Sequence, residues 1–407
     1  MSLESYDLSK VSTRTPVGFD TITDDRLETP PKILYFVGVD WFFHSHFLDR
    51  ALAAKQAGYR VVVLTQSTSA HNPFAEHGID LIDISFQRRS LNPIGLIRNL
   101  LDIRRVLKRE RPDIVHQIAL KPIVLGSLVC KMVGIRRVVN AVVGLGYAFS
   151  SNQVSARVVR SILSIILRFV LDRKNAVTVF ENADDRAYFL NKGWTTAKAA
   201  VLIRGAGVDT EHFKPSNKAT EPPIVMLLSR MLWDKGIAEF VEAARHLQQK
   251  HGSQYARFVL VGDSDDDNRG AIPRDQLSAW KSEGVINWWG FQRDVRSVLA
   301  QATISCLPSY REGLPKSLLE SLAMGLPCIA TDVPGCREAV KDGINGYLVN
   351  AKDPVSLANA IERLLQDSSL RAQFGRASRA MAVDEFSNRI VNHQTLEVYA
   401  KIMRETD

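Results

Sequence analysis

Short apolar runs recur from Lys32 onward, each followed by a stretch with helical periodicity, and this alternation constrains the fold more than any other feature. KILYFVGV (32–39), YRVVVLTQ (59–66), DLIDISF (80–86), DIVHQI (113–118), RRVVNAVVG (136–144), AVTVF (176–180) and AAVLIRGAG (199–207) form a first series. PIVMLLSR (223–230), ARFVLVGD (256–263), GVINWWGF (284–291), ATISCLPS (302–309), LPCIATD (326–332) and GYLV (346–349) form a second. Runs that are apolar without alternation suit strands buried on both faces, so each series predicts a mainly parallel sheet covered by helices on both sides. Such sheets bind ligands beyond the carboxyl ends of their strands. At 407 residues the chain exceeds one comfortable α/β core. The polar, Pro-rich segment FKPSNKATEPP (213–223) marks the junction of two units.

The expected organisation is a flexible leader over 1–30, an N-terminal domain over 31–215, a C-terminal domain over 222–385, and a helix over 386–407 that returns to the N-terminal domain. The leader lacks hydrophobic periodicity, whereas the body has 45% hydrophobic and 24% charged residues, ordinary globular usage. Four cysteines, Cys130, Cys306, Cys328 and Cys336, show no CxxC or Cys/His spacing and read as reduced thiols. No apolar run approaches the roughly 20 residues of a membrane helix, so a cytoplasmic location is expected.

The net charge of +8 is concentrated in the first half. Within 88–174 seventeen Lys and Arg stand against four Asp and Glu, which predicts that this surface faces an anionic partner. No helix-turn-helix, aromatic RNA-binding pattern or zinc module accompanies the charge, so nucleic acid is not expected. From Val154 to Val177 apolar residues recur at helical spacing with Arg157, Arg160, Arg168, Arg173 and Lys174 between them. Two readings stand: a helix lying in an anionic membrane interface, or a helix packing one face on its own sheet.

The chemistry-bearing residues concentrate in the second series. Ser309-Tyr310-Arg311-Glu312-Gly313-Leu314-Pro315-Lys316-Ser317-Leu318-Leu319-Glu320 follows a strand and opens a helix. Ionised carboxylates accept hydrogen bonds from paired sugar hydroxyls, and N–H groups at a helix start receive phosphate. Ser229-Arg230-Met231-Leu232-Trp233-Asp234-Lys235-Gly236 follows the first strand of that series. Its Arg fork and Lys point charge suit a diphosphate without a metal. Asp263, Asp265, Asp266 and Asp267 cluster after another strand but lack the glycine and distal glutamate of a calcium loop, so no metal site is expected and no cofactor is called for.

The two glutamates separated by seven residues, with Gly-Leu-Pro after the first, resemble the E-x7-E signature of retaining family-4 glycosyltransferases. The 229–236 segment resembles that family's Arg-x4-Lys-Gly loop. The resemblance implies an α/β GT-B fold, two Rossmann-like domains facing across a cleft. It implies that Glu312 is catalytic and contacts the donor sugar, and that Glu320 takes the ribose hydroxyls. Arg230, Lys235, Gly313, Leu314, Pro315, Lys316 and Ser317 would complete the donor site. The implied reaction moves a hexose or N-acetylhexosamine from a nucleoside diphosphate sugar, UDP-linked by expectation, with retention of configuration.

Asp40 to His46, Pro112 to His116 with Leu120-Lys121-Pro122 beyond, and Gly144-Leu145-Gly146-Tyr147 resemble the subgroup that extends undecaprenyl-diphosphate-linked glycans and surface polysaccharides. The acceptor would then be a glycan on polyprenyl diphosphate, with His46, Lys121, Gly144 and Gly146 on its side of the cleft and the protein on the inner face of the plasma membrane. His116 resembles the family histidine that approaches the donor sugar; a buried strand histidine with a satisfied hydrogen bond is the competing reading. The rival activities are a sugar-nucleotide epimerase of the same architecture and transfer to a soluble acceptor.

Overall fold

A computed structural model describes residues 30–68, 71–86, 92–145, 154–171, 175–216, 220–265, 268 and 270–405. The expected leader over 1–30 lies outside these apart from Pro30. The first series forms seven strands: β1 (Lys32–Phe36), β2 (Arg60–Thr65), β3 (Asp80–Asp83), β4 (Ile114–Ile118), β5 (Val138–Val142), β6 (Ala176–Phe180) and β7 (Ala200–Leu202). The second forms six: β8 (Ile224–Leu228), β9 (Arg257–Val261), β10 (Asn287–Trp288), β11 (Ile304–Leu307), β12 (Cys328–Thr331) and β13 (Gly346–Val349).

The sheets run β3-β2-β1-β4-β5-β6-β7 and β10-β9-β8-β11-β12-β13, and the paired strands are parallel throughout. In both, the order reverses between the first strand and its crossover neighbour: β1 and β4 in one sheet, β8 and β11 in the other. Loops leaving those neighbours diverge to opposite faces and open a crevice at the carboxyl edge, where ligands of doubly wound sheets bind. The expected α/β class is therefore the observed one.

Burial on both faces explains the continuous apolar runs. Along β1 the side chains alternate between two cores: Ile33, Tyr35 and Val37 join one, and Leu34 and Phe36 the other. The second sheet has the same two-sided arrangement, with Val225 and Leu227 of β8 on one face and Ile224 and Met226 on the other.

The chain crosses between the sheets twice, and the crossings bond to each other: the Val208 N–H donates to Phe386 O and the Asn388 N–H to Val208 O, both at 2.9 Å. Beyond the second crossing, the helix Asn388–Arg404 lies against the helix Leu48–Gln56. It buries Val391, Val398, Tyr399 and Ile402 in the core on one face of the first sheet. Cys130, Cys306, Cys328 and Cys336 are buried and form no disulfide among the described residues.

Candidate active site

The loop after β8 and the loop after β11 meet at the crevice of the second sheet. A single 3-10 turn, Trp233–Lys235, presents Lys235, and the Tyr310 N–H donates to Asp234 O at 2.8 Å, tying the two loops together. Lys235 Nζ reaches Glu312 Oε1 at 2.6 Å, and Ser309 Oγ donates to the same oxygen at 2.6 Å. Both charged side chains are largely buried, 17% and 11% exposed, so the charge pair operates with little screening by water. The Tyr310 hydroxyl donates to Glu239 Oε1 at 2.6 Å and fixes the far side of the loop.

Pro315 then caps the eight-residue helix Lys316–Ala323, whose fixed proline φ suits the turn into a helix start. Helical spacing puts Glu320 one turn below Lys316, with Nζ and Oε1 3.7 Å apart. Burial pushes the Glu320 carboxyl up to about 7, outweighing the attraction of Lys316. Leu314 is buried in the adjacent core, and the Ser317 carbonyl accepts from Ser321 Oγ at 2.8 Å. Arg230 is 45% exposed at the rim, where Nη1 donates to Asp265 Oδ2 at 2.9 Å. Asp263 is occupied by Arg274, and no metal-holding group of His, Cys, Asp or Glu occurs among the described residues.

From the first sheet, the helix Asp40–His46 after β1 projects into the same crevice. His46 stacks on Phe42 with centroids 4.2 Å apart and shares a 2.6 Å hydrogen bond between Nδ1 and Ser45 Oγ. Burial first, then the nearby cations Lys316, Arg50 and Arg230, bring its pKa down to about 3, so the ring is neutral at physiological pH. Lys316 Nζ donates to Ser45 O at 2.6 Å across the cleft. Gly144 lies against the backbone of Gly313. Ser45 and Gly144 thus reach residues of the loop after β11 and its helix, and His46 feels the charge of Lys316. Gly146 lies outside the described residues, and Lys121 sits 5.0 Å above the Phe86 ring.

His116 lies within the core of the first sheet. It is 2% exposed, Nδ1 lies 2.6 Å from Tyr399 Oη, and that hydroxyl is 2.8 Å from Tyr35 Oη. Desolvation takes its pKa down to about 3. Register decides this outcome: His116 pairs with Tyr35 across β1 and β4, so both rings point to the face covered by the C-terminal helix. Nδ1 has its partner in Tyr399, whereas the buried Nε2 has none among the described residues.

The sequence reading missed a third group. After β6, Glu181, Asn182 and Asp185 reach the loop after β11: Asn182 Nδ2 donates to Gly313 O at 2.7 Å, Arg311 bonds Asp185, and Glu181 Oε2 lies 2.7 Å from where a Cβ on Gly313 would stand. An NADD segment opening a helix reads locally as an N-cap, and Asn182 does accept from the Asp185 N–H. Nothing local marks its second set of partners.

Two doubly wound parallel sheets whose carboxyl-edge loops meet around a Lys-carboxylate pair give the GT-B architecture. Residues 32–182 match the "Glycosyl transferase 4-like" family model and residues 208–381 the model "Glycosyl transferases group 1". The chain belongs to the family-4 glycosyltransferases. It is 27% identical to the N,N'-diacetylbacillosaminyl-diphospho-undecaprenol alpha-1,3-N-acetylgalactosaminyltransferase of Campylobacter jejuni, over 86% of this chain and 94% of that one. It is 28% identical to the UDP-Gal:alpha-D-GlcNAc-diphosphoundecaprenol alpha-1,3-galactosyltransferase of Escherichia coli, over 69% and 74%. Among solved structures, Anabaena HepE in complex with UDP and glucose superposes with a TM-score of 0.72 at 17% identity, covering 91% of this chain and 99% of that one. That last likeness concerns the fold.

Proposed function

We propose that the protein transfers a hexose or N-acetylhexosamine from a UDP-linked sugar to a glycan carried on polyprenyl diphosphate, with retention of configuration. The observation that carries the donor half is the buried Lys235–Glu312 pair beside Glu320 at the crevice of the second sheet. In this reading Glu312 contacts the donor sugar and Glu320 accepts from the ribose hydroxyls. Arg230 and Lys235 neutralise the departing diphosphate, with the N-terminal amides of the helix Lys316–Ala323 beside them. Gly313, Leu314, Pro315 and Ser317 give the loop its shape. An oxygen of the leaving diphosphate helps take the acceptor proton, so catalysis consists of orientation and charge stabilisation. The acceptor half rests on the relatives named above, two of which act on undecaprenyl-diphosphate-linked sugars by name.

The test is steady-state kinetics on a panel of UDP-, GDP- and ADP-sugars with a polyprenyl diphosphate sugar as acceptor. Glu312→Ala is expected to lower kcat by about 100-fold with little change in donor KM. Glu320→Ala is expected to raise donor KM by about 10-fold, as loss of a charge-assisted hydrogen bond predicts. Activity is expected to survive EDTA. Wild-type kinetics in both variants overturns the assignment.

The acceptor reading includes a membrane face. The helix Val154–Leu171 packs Leu163, Ile166, Leu167, Val170 and Leu171 inward while Ile162, Ile165 and Phe169 are 55%, 74% and 59% exposed. Ile94, Ile97 and Leu101 are likewise exposed on the helix Pro93–Glu110, with Arg98, Arg105 and Lys108 among them on the same stripe. Exposed apolar residues flanked by cations fit an anionic bilayer interface, such as the inner face of a plasma membrane. No helix among the described residues is long and apolar enough to cross a membrane. Co-sedimentation with phosphatidylglycerol vesicles that Ile165→Asp abolishes supports this face; failure of the wild type to sediment refutes it.

A further inference from the structure

Glu312 stands on a loop of the C-terminal sheet, yet the residues on either side of it are held by the N-terminal sheet. Before it in sequence, the Arg311 guanidinium bonds the Asp185 carboxylate, which is wholly buried. After it, the Gly313 carbonyl accepts from Asn182 Nδ2 at 2.7 Å, and Glu181 Oε2 lies 2.7 Å from where a Cβ on Gly313 would stand. All three N-terminal residues lie within five positions at the carboxyl end of β6. They are themselves fixed. Asn182 Nδ2 is 3.1 Å from Asp185 Oδ2, its Oδ1 accepts from the Asp185 N–H at 2.7 Å, and Glu181 lies near the buried Arg50, which donates to Gly205 O.

The same segment reaches the neighbouring loop of the C-terminal sheet. The Ala183 N–H donates to Glu338 Oε1 at 2.9 Å, and Asp184 pairs with Arg337 at 3.2 Å. A buried carboxylate with a single cationic partner is costly to expose or to leave unpaired, so the Asp185–Arg311 contact resists small displacements of the loop. Contacts within the C-terminal domain hold Glu312 from the other side, through Lys235 and Ser309. The N-terminal sheet therefore supplies the second half of the cradle.

We propose that Glu181, Asn182 and Asp185 are positioning residues that set the Glu312 loop for transfer, so that Glu312 is in its working geometry only while the two domains are in contact. The proposal rests on the reading of Glu312 given above. Its consequence is that assembly of the site is conditional on cleft closure, although Arg230, Lys235, Glu312 and Glu320 all lie in the C-terminal domain. The Asp185 variants should damage turnover while leaving nucleotide affinity intact, because the diphosphate and ribose contacts proposed for Arg230, Lys235 and Glu320 do not pass through this segment.

The experiment uses the full-length protein. Asp185→Asn and Asn182→Ser are compared with the wild type in kcat, donor KM, and UDP affinity by calorimetry. Serine retains the helix cap while removing the amide that donates to Gly313 O. We expect kcat to fall by about 10- to 100-fold, the range for a reacting group displaced by a fraction of an ångström to an ångström, with UDP affinity within about twofold of wild type. In the double-mutant cycle, Asp185→Asn added to Glu312→Gln should cost little further activity, since a residue acting through Glu312 has nothing left to position. The charge-exchanged pair Asp185→Arg with Arg311→Asp should regain part of the turnover lost in Asp185→Arg alone.

Unchanged kcat in both single variants overturns the proposal. So does a loss fully additive with Glu312→Gln or matched by an equal loss of UDP affinity, since either indicates a general structural role. The underlying reading fails separately: wild-type turnover in Glu312→Gln refutes the donor-site assignment whatever Asp185 does.

Discussion

Replacing Gly313 by alanine should separate domain contact from domain stability. Gly313 lacks a positive φ, so its backbone conformation is open to any residue. The obstacle is across the cleft: an added Cβ would sit 2.5 Å from Val143 O and 2.9 Å from Val143 C, and 2.7 Å from Glu181 Oε2. The carboxylate tip can swing aside, but the Val143 carbonyl is backbone at the end of β5. Ordinary contact begins at 3.4 Å, so the methyl group needs about 0.9 Å more room than the closed cleft provides. The loop and the N-terminal sheet must separate by most of that amount. A displacement near 1 Å at a reacting group costs about 100-fold in rate, or about 2.7 kcal/mol at the transition state.

Two measurements follow from that geometry. Turnover of Gly313→Ala should fall by about 30- to 100-fold, and small-angle scattering with saturating UDP should show a more open particle than the wild type. Thermal stability should hold or rise slightly, because alanine reduces the freedom of the unfolded chain by about 0.4–1 kcal/mol where the native backbone accepts it. Gly193→Ala is the control for strain alone: its φ is +63° and a Cβ there meets nothing within 4 Å, so it should lose stability but keep turnover. Wild-type turnover in Gly313→Ala would refute the reasoning.

Two further outcomes concern the buried polar groups. Tyr399→Phe leaves His116 Nδ1 and the Tyr35 hydroxyl without their shared partner, so denaturant unfolding should show a loss of about 1–3 kcal/mol, with donor KM unchanged because Tyr399 bonds Tyr35 and His116 and neither Glu312 nor Glu320. Burial raises the Glu181 and Glu320 carboxyls from 4.5 to about 7, so between those values the folded state binds more protons than the unfolded one. The stability they contribute is fully present below about pH 4.5 and is lost as pH rises through about 7, by up to about 3 kcal/mol for each group. Unfolding curves at pH 5 and pH 8 should differ in that direction, and Glu181→Gln should reduce the difference; an identical slope in wild type and variant contradicts the assignment.

Much of the architecture is legible in the amino-acid order because its determinants are local. An apolar run without alternation can be satisfied only by burial on both faces, and thirteen such runs separated by helical stretches admit little besides two parallel sheets. The loops after β8 and β11 could be located for the same reason, since the carboxyl edge beside a switch point follows from strand order. Their residues Lys235, Glu312, Lys316 and Glu320 do converge in one crevice. What tertiary structure alone decides is which side chain meets which across long sequence separations. His116 finds its partner in Tyr399, 283 residues later, which folds back over the same face of the sheet. The partners of the Glu312 loop, 126 and 131 positions earlier at Asp185 and Asn182, look like an ordinary helix cap until the cleft brings them together. A local pattern fixes an element and its buried faces; the pairing of surfaces between two domains depends on how their sheets and crossing segments pack, and no window of sequence contains that.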